Sequence, residues 1–374
     1  MRKTLVLLHR YLGLALGLFL LGSGLTGSAI VFSKAIDSYF NPELLTVAPR
    51  PGEPLQVDEF LRNAKERLPG ETPTFIYMPL APHEAAQVLF QPSGMRVHAD
   101  PHTGKVLGLR HPSDSVTGWL IDFHVHLLAG KTGKQIQGWI GLGAILISLV
   151  GIYLWWPNTG KWKQAFSIKW EAGAFRVWFD AHRVSGALAA ALIVLTALTG
   201  SALALYDLLT EPLLIKATGS GTRQPAPKAA SISTEPASID AMLRQAQASF
   251  PDGQITRLTL PAKGSSVVGV RMRLNGEIHQ FGRSFIWFDK HDGQILRVDN
   301  ALKANRAVQI QSWLFPLHTG MYGGLFTQWL QLLVGLGLAF LSISGGWLWF
   351  RKLRAKAIAA SRPARARESA AGQM

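Results

Sequence analysis

The sequence predicts a membrane-embedded, all-α four-helix bundle of two parallel repeats, each carrying a small α+β domain on the outer side. Three observations predict it. The apolar residues collect in four blocks, 11–33, 137–156, 184–208 and 326–350. The basic residues cluster at only some of the block ends. The landmarks of the first half recur in the second.

Each block is long enough to cross a hydrocarbon layer of about 30 Å at about 1.5 Å per helical residue. The runs are continuous and leucine-rich, with no period-2 alternation. Helices are therefore expected rather than barrel strands, because unpaired backbone groups are too costly in lipid. The net charge of +15 first suggests nucleic acid, but its placement argues against such a partner. Arg2, Lys3 and Arg10 flank the first block. Lys161, Lys163, Lys169, Arg176 and Arg183 fill the connection between blocks two and three, and Arg351, Lys352, Arg354 and Lys356 follow the fourth. Four crossings put all three clusters on one side. The positive-inside rule makes that side cytoplasmic, with both termini there and the long segments 37–120 and 210–317 outside. The excess charge then encodes topology and contact with anionic lipid.

Cysteine is absent. That excludes disulfides, thiolate-held iron–sulfur clusters and covalent c-type haem attachment. A cysteine-free exported domain fits a bacterial periplasm. The first apolar run exceeds a usual signal-peptide core and its landmarks recur in the third block, so it is read as a retained helix.

The repeat fixes the domain order. His182-Arg183 lies 173 residues after His9-Arg10, and Thr199-Gly200-Ser201 lies 173 after Thr26-Gly27-Ser28. Residues 57–68 and 239–250 both read as amphipathic helices, Met78-Pro79 matches Leu260-Pro261, and turns at 100–104 and 289–293 share Asp-x-x-x-Gly. The expected order is span one (1–36), domain one (37–113), span two with its juxtamembrane segment (114–157) and a cytoplasmic loop (158–181). Span three (182–209), a mobile Gly/Pro/Ser-rich linker (210–236), domain two (237–305) and span four with its juxtamembrane segment (306–352) follow. A disordered basic tail (353–374) ends the chain.

Residues equivalent by the repeat sit at equal depth about an axis along the membrane normal. His9 would meet His182 near the cytoplasmic ends of spans one and three. His124 would meet His318 near the outer ends of two and four. Two imidazoles on facing helices, without cysteine, suit bis-histidine ligation of a non-covalent haem. Gly13, Gly17, Gly22, Gly24, Gly27, Gly141, Gly143, Gly335 and Gly337 offer room for a porphyrin. Taken singly, each histidine reads first as an interfacial residue, the glycines as helix-packing positions and the terminal tryptophans as interface anchors. Joint placement shifts the balance. His126 has no counterpart and could replace His124 as ligand. Thr26 and Thr199 could bond a ligand or, in the plainer reading, pack helices. His102 and His291 recur within the turns and are read as turn residues.

Leu8-His9-Arg10-Tyr11-Leu12-Gly13, the two Leu-Thr-Gly-Ser segments, His124-x-x-Leu127-Leu128-x-Gly130, Gly151-Ile-Tyr-Leu-Trp-Trp-Pro157, Ala181-His182-Arg183 and Leu317-His318-Thr319-Gly320 together resemble the PepSY-associated transmembrane helix family. That resemblance covers nearly the whole chain. It implies two periplasmic PepSY-like domains, two b-type haems at His9, His182, His124 and His318, and the activity of inner-membrane ferric-siderophore reductases of the ferrioxamine type. The partners implied are a ferric siderophore as substrate and a separate electron donor, either a cytoplasmic reductase or a quinol. No G-x-G-x-x-G turn joins a strand to a helix, and the cytoplasmic parts are too short for a flavin or nicotinamide domain. The alternative is a non-redox scaffold whose soluble domains bind or inhibit a periplasmic partner such as a protease. A transporter is disfavoured, since the spans lack central ionisable residues and Pro-broken helices.

Overall fold

The computed structural model describes residues 1–50, 56–157, 160–222, 224–228, 237–261 and 264–371, with side chains described through Ala359. It divides into a helical unit (1–31, 124–205, 329–374) and a sheet unit (32–123, 206–328).

Four helices are long and apolar enough to cross a membrane: Arg2–Ile30, Gly130–Trp155, Ala174–Ala204 and the helix Gly324–Ala371. Within the helical unit they contact in a ring. Gln137 on the second donates to Ser23 Oγ on the first (2.6 Å), and Ser201 on the third donates to the Gly138 carbonyl of the second (2.9 Å). Thr196 on the third bonds Gln331 on the fourth (3.2 Å), and Ser28 on the first donates to the Leu332 carbonyl of the fourth (2.8 Å). These contacts come in equivalent couples. Ser23 and Thr196, like Ser28 and Ser201, are 173 residues apart; Gln137 and Gln331, like Gly138 and Leu332, are 194 apart. In an apolar medium such interhelical bonds fix register where burial of apolar surface cannot.

Several boundaries differ from expectation. The third span begins at Ala174 rather than 182, because Phe175 and Trp178 pack on Trp347, with Trp178 also stacked on Phe340 at 5.8 Å. The expected linker 210–236 contains a helix, Glu211–Thr218, while 229–236 lie outside the described residues. The basic tail expected to be disordered continues the fourth helix to Ala371, in keeping with its alanine- and arginine-rich composition.

The larger correction concerns the soluble parts. The expected separate domains, 37–113 and 237–305, share one eight-stranded antiparallel sheet and one core. Its strands are β1 (Thr72–Tyr77), β2 (Ala86–Gln91), β3 (Arg96–Ala99), β4 (Val106–Arg110), β5 (Gln254–Thr259), β6 (Val267–Arg273), β7 (Ser284–Asp289) and β8 (Ile295–Asp299), in spatial order β4-β3-β2-β1-β5-β6-β7-β8. At the seam β1 pairs with β5, and Ile76 faces its own counterpart Leu258. The flanking bonds are reciprocal: Met78 N–H donates to the Thr256 carbonyl (3.0 Å) and Leu260 N–H to the Thr74 carbonyl (2.9 Å). A local twofold therefore passes through the Ile76–Leu258 pair. Joining at the edges leaves neither half with an open inner strand, the hazard an isolated four-stranded sheet would carry.

Helices Val57–Arg67 and Ile239–Ser249 cover one face, over a core that includes Phe60, Val88, Phe90, Met242, Leu258, Val270 and Phe288. Their N-termini cap each other. Asp240 Oδ1 and Oδ2 accept from Val57 and Asp58 N–H (2.9 and 3.2 Å), and Asp58 Oδ1 and Oδ2 accept from Ile239 and Asp240 N–H (3.0 and 3.2 Å). Burial, with Asp58 beside it, raises the Asp240 carboxyl above its ordinary range against those bonds. In the two Asp-x-x-x-Gly turns, Asp100 and Asp289 accept from the N–H of His102 and His291 (2.9 Å each), and Gly104 and Gly293 take the positive φ (68° and 70°) that closes each turn.

Candidate haem-ligand site

Two of the four expected histidines meet within the helical unit. His9 sits on the first span eight residues from its start, His182 nine residues into the third helix. Their ring centroids are 6.3 Å apart with planes at 81°. Two imidazoles sharing one metal through nitrogens at about 2 Å from it have centroids about 6 Å apart. The 6.3 Å spacing is compatible with both rings holding one metal.

Both rings are held at Nδ1. His9 Nδ1 lies 3.1 Å from the Ile147 carbonyl, to which it donates. His182 Nδ1 lies 2.7 Å from Ser344 Oγ, with the Leu341 carbonyl also in reach. The Ser344 hydroxyl, fully buried, gives its own proton to the Leu341 carbonyl at 3.2 Å, so it accepts from His182. Leu341 lies 194 residues after Ile147, the offset of the second and fourth spans. An Nδ1–H so engaged fixes the tautomer and presents a bare Nε2, the arrangement seen when imidazole binds a metal.

A glycine backs each ring. A Cβ on Gly151 would stand 3.1 Å from His9 Cε1, and one on Gly345 3.4 Å from His182 Cε1; these glycines too are 194 residues apart. Below His9, at successive turns of the same helical stripe, Gly13 and Gly17 have no heavy atom within 4 Å of a built Cβ. The predicted glycines thus divide by role. Gly13 and Gly17 leave open space beside a histidine. Gly24 and Gly335 instead bring two backbones together, a Cβ on either standing 2.6 Å from the other's carbonyl oxygen. Imidazole donors, fixed tautomers and open space along His9 fit a haem.

His124 follows the same pattern on the helix Val116–His126. Its Nδ1 is 3.2 Å from Thr26 Oγ1, and a Cβ on Gly27 would stand 2.9 Å from its Cε1. Thr26 gives its proton to the Gly22 carbonyl (2.7 Å), so it accepts from His124. The hydroxyl taken first as packing therefore orients an imidazole. His126, two residues on, turns about 200° away around the helix, and its carbonyl accepts from Ala129 N–H. Immediately after it Leu127 and Leu128 adopt φ of 49° and 57°, strained values for leucine. That strained corner ends one helix and starts the span Gly130–Trp155. His318 lies on the helix Arg306–Thr319, in the sheet unit.

Among the described residues no group of three or more His, Asp, Glu or Cys side chains could hold a bare metal ion. Two histidines of the soluble part to which the sequence reading assigns no role, His98 and His279, are buried. Burial, then nearby arginines, depress them to about 4 and about 3. Asp180 was missed. It is fully buried, bonds Arg176 Nε at 2.8 Å and Arg183 at 3.2 Å, and accepts from Lys169 N–H, folding the 160–173 loop onto the third helix.

Comparison with protein families matches residues 6–352 to the PepSY-associated TM region. No curated protein matches the chain.

Proposed function

The chain belongs to the PepSY-associated transmembrane family, and from that premise we propose that it is a dihaem b-type oxidoreductase that carries electrons across a bacterial inner membrane to reduce ferric siderophores in the periplasm. The observation that carries this reading is the His9–His182 pair, 6.3 Å apart with each Nδ1 engaged by the neighbouring span. By the positive-inside rule the basic clusters favour a cytoplasmic side for these histidines. His124 and His318, at matching points of the two halves, are the proposed outer pair, with Thr26 orienting His124. His124 rather than His126 is the proposed ligand because its ring lies against the first span.

Bound haem supplies one-electron transfer. The chain's own residues would do the rest: the proposed histidines would hold the haem through Nε2, the Ile147 carbonyl, Ser344 and Thr26 would keep the imidazole protons at Nδ1, and apolar spans would exclude water. One electron converts Fe(III), gripped by oxygen-rich chelators, to Fe(II), which they hold weakly, so iron leaves and the chelator survives. A separate donor, a soluble reductase or a membrane quinol, supplies that electron.

Colour tests the proposal. Detergent-purified protein from haem-replete cells is expected to show a Soret band and, with dithionite, a b-type difference spectrum. On anaerobic mixing with a ferric siderophore, the reduced protein is expected to reoxidise while a chromogenic chelator captures Fe(II). A colourless preparation overturns the reading in favour of a non-redox scaffold.

A further inference from the structure

The sheet face opposite the two covering helices carries a charge pattern that the haem sites do not explain. Side chains alternate between faces along each strand, and cross-strand partners share a face. One row across the sheet therefore reads His98, Gln87, Tyr77, Arg257, Arg271, Phe285, Asp299, the last already paired with Arg297 at 2.9 Å. In the neighbouring row Arg96 stands one partner beyond Leu89 and Phe75. The guanidiniums lie over rings: Arg257 over Phe75 at 4.7 Å, Arg96 over Tyr77 at 5.3 Å and Arg271 over Phe285 at 5.8 Å.

The carboxylates near these cations are engaged elsewhere, Asp37 with Arg110. Arg257 and Arg271 are direct cross-strand neighbours, a repulsive placement. Among the described residues no carboxylate forms an ion pair with Arg96, Arg257 or Arg271. Arg271 has only the Gly282 carbonyl, through Nε at 2.8 Å, and Arg96 only the Gln87 amide oxygen at 3.2 Å. The nearby Glu277 carboxylate is committed to the N–H groups of Leu274 and Arg283 and to the Ser284 hydroxyl. Burial and the Arg257 and Arg283 charges depress the Arg271 guanidinium to about 9. Arg96 and Arg257 each bury an Nε without a hydrogen-bond partner. A second, independent sign lies in the same row. His98 is 1% exposed, and neither of its ring nitrogens has a partner. Buried donors and acceptors left unmatched in a folded protein point to a ligand that matches them.

We propose that this face is the docking site for an anionic ferric chelate, one whose carboxylate or catecholate oxygens pair with Arg257, Arg271 and Arg96. Arginine forks match planar oxygen pairs bidentately, and the rings beneath them hold the forks flat. The local twofold sharpens the argument. Arg257 has Phe75 as its counterpart, and Tyr77 has Thr259, so the symmetry kept in the core is broken on this face. An asymmetric cargo needs that; a structural surface does not. The identity of the iron chelate rests on the reductase reading, whereas anion docking does not. A cationic trihydroxamate complex is correspondingly disfavoured.

The test uses full-length protein in neutral detergent and redox-inert gallium(III) complexes, so that binding is read without reduction. Equilibrium dialysis against gallium tris-catecholate is expected to give saturable binding that weakens with salt. Arg257→Gln and Arg271→Gln are each expected to weaken it about tenfold or more, Arg257→Lys less, with circular dichroism and haem content unchanged. Arg96→Gln, on a different strand, provides the same readout should either central variant misfold. Equal binding by the three Gln variants, or tighter binding of a cationic gallium trihydroxamate, overturns the proposal. So does displacement of the chelate by phosphatidylglycerol micelles together with arginine-dependent lipid binding, which assigns the face to a headgroup. Colourless protein that still binds the tris-catecholate through these arginines supports the docking site while the redox reading falls.

Discussion

The helical unit and the sheet unit are both built on couples of equivalent residues, yet they use equivalence differently. In the bundle, partners do the same thing twice. His9 and His182 each lean on a glycine of the next span, and Ile147 and Leu341 offer equivalent carbonyls. On the sheet face opposite the covering helices, partners diverge, arginine in one half standing where the other has phenylalanine. A metal held by both imidazoles, as proposed, would be served by that symmetry. The sheet keeps the equivalence at the Ile76–Leu258 seam, the crossed Asp58–Asp240 caps and the Asp100 and Asp289 turns, and loses it where Arg257 answers to Phe75.

The largest effect that could break this contrast concerns the inner pair. His9→Ala or His182→Ala is expected to remove the same haem, leaving roughly half of the Soret absorbance while the outer centre persists. Equal loss of both haems from every histidine variant, read in reduced-minus-oxidised spectra, would dissolve the pairing. The next test separates packing glycines from open ones. Gly24→Ala places a methyl against the Gly335 carbonyl and the Ala339 backbone and is expected to destabilise the bundle by about 1–3 kcal/mol in a detergent unfolding titration. Gly13→Ala is expected to leave that titration unchanged, because nothing stands near its Cβ.

Smaller effects sharpen the sheet side of the comparison. Asp58→Ala and Asp240→Ala are each expected to cost about 1–2 kcal/mol by loss of a helix cap. The double variant should cost less than the sum, since removing either carboxylate relieves the repulsion on the other; strict additivity would deny the reciprocal arrangement. The smallest effect is a pH dependence. His98 is depressed from 6.5 to about 4 in the folded protein. Between those values the unfolded chain binds a proton that the folded chain refuses, so stability falls as pH falls through that window. His98→Phe is expected to flatten melting temperature between pH 6.5 and 4.5, and an unchanged slope would count against burial of a neutral imidazole.

Much of this was legible in the residues. Hydropathy is a local property, so the four apolar runs are plain along the chain, and the offset of 173 residues relates His9 to His182. The glycine behind each imidazole and the carbonyl at each Nδ1 were not legible. They belong to neighbouring spans, His9 and Ile147 being 138 residues apart, and no periodicity within one helix encodes its rotation against the next. Thr26 looked like a packing residue for the same reason. The soluble halves each read as a complete helix-and-sheet unit, which concealed that β1 and β5 would pair; a strand's sequence records which side is apolar, not which edge finds a partner.

The sequence by itself determined the four crossings' worth of apolar helix, the doubling of the chain and the histidine positions, because these follow from composition and recurrence along the chain. Only the tertiary structure decided that the His9 and His182 rings stand 6.3 Å apart, that two half-sheets close into one, and that arginines without an ion pair among the described residues gather on one face. Those outcomes depend on distances between residues remote in sequence, which arise when helices pack and strands choose their register.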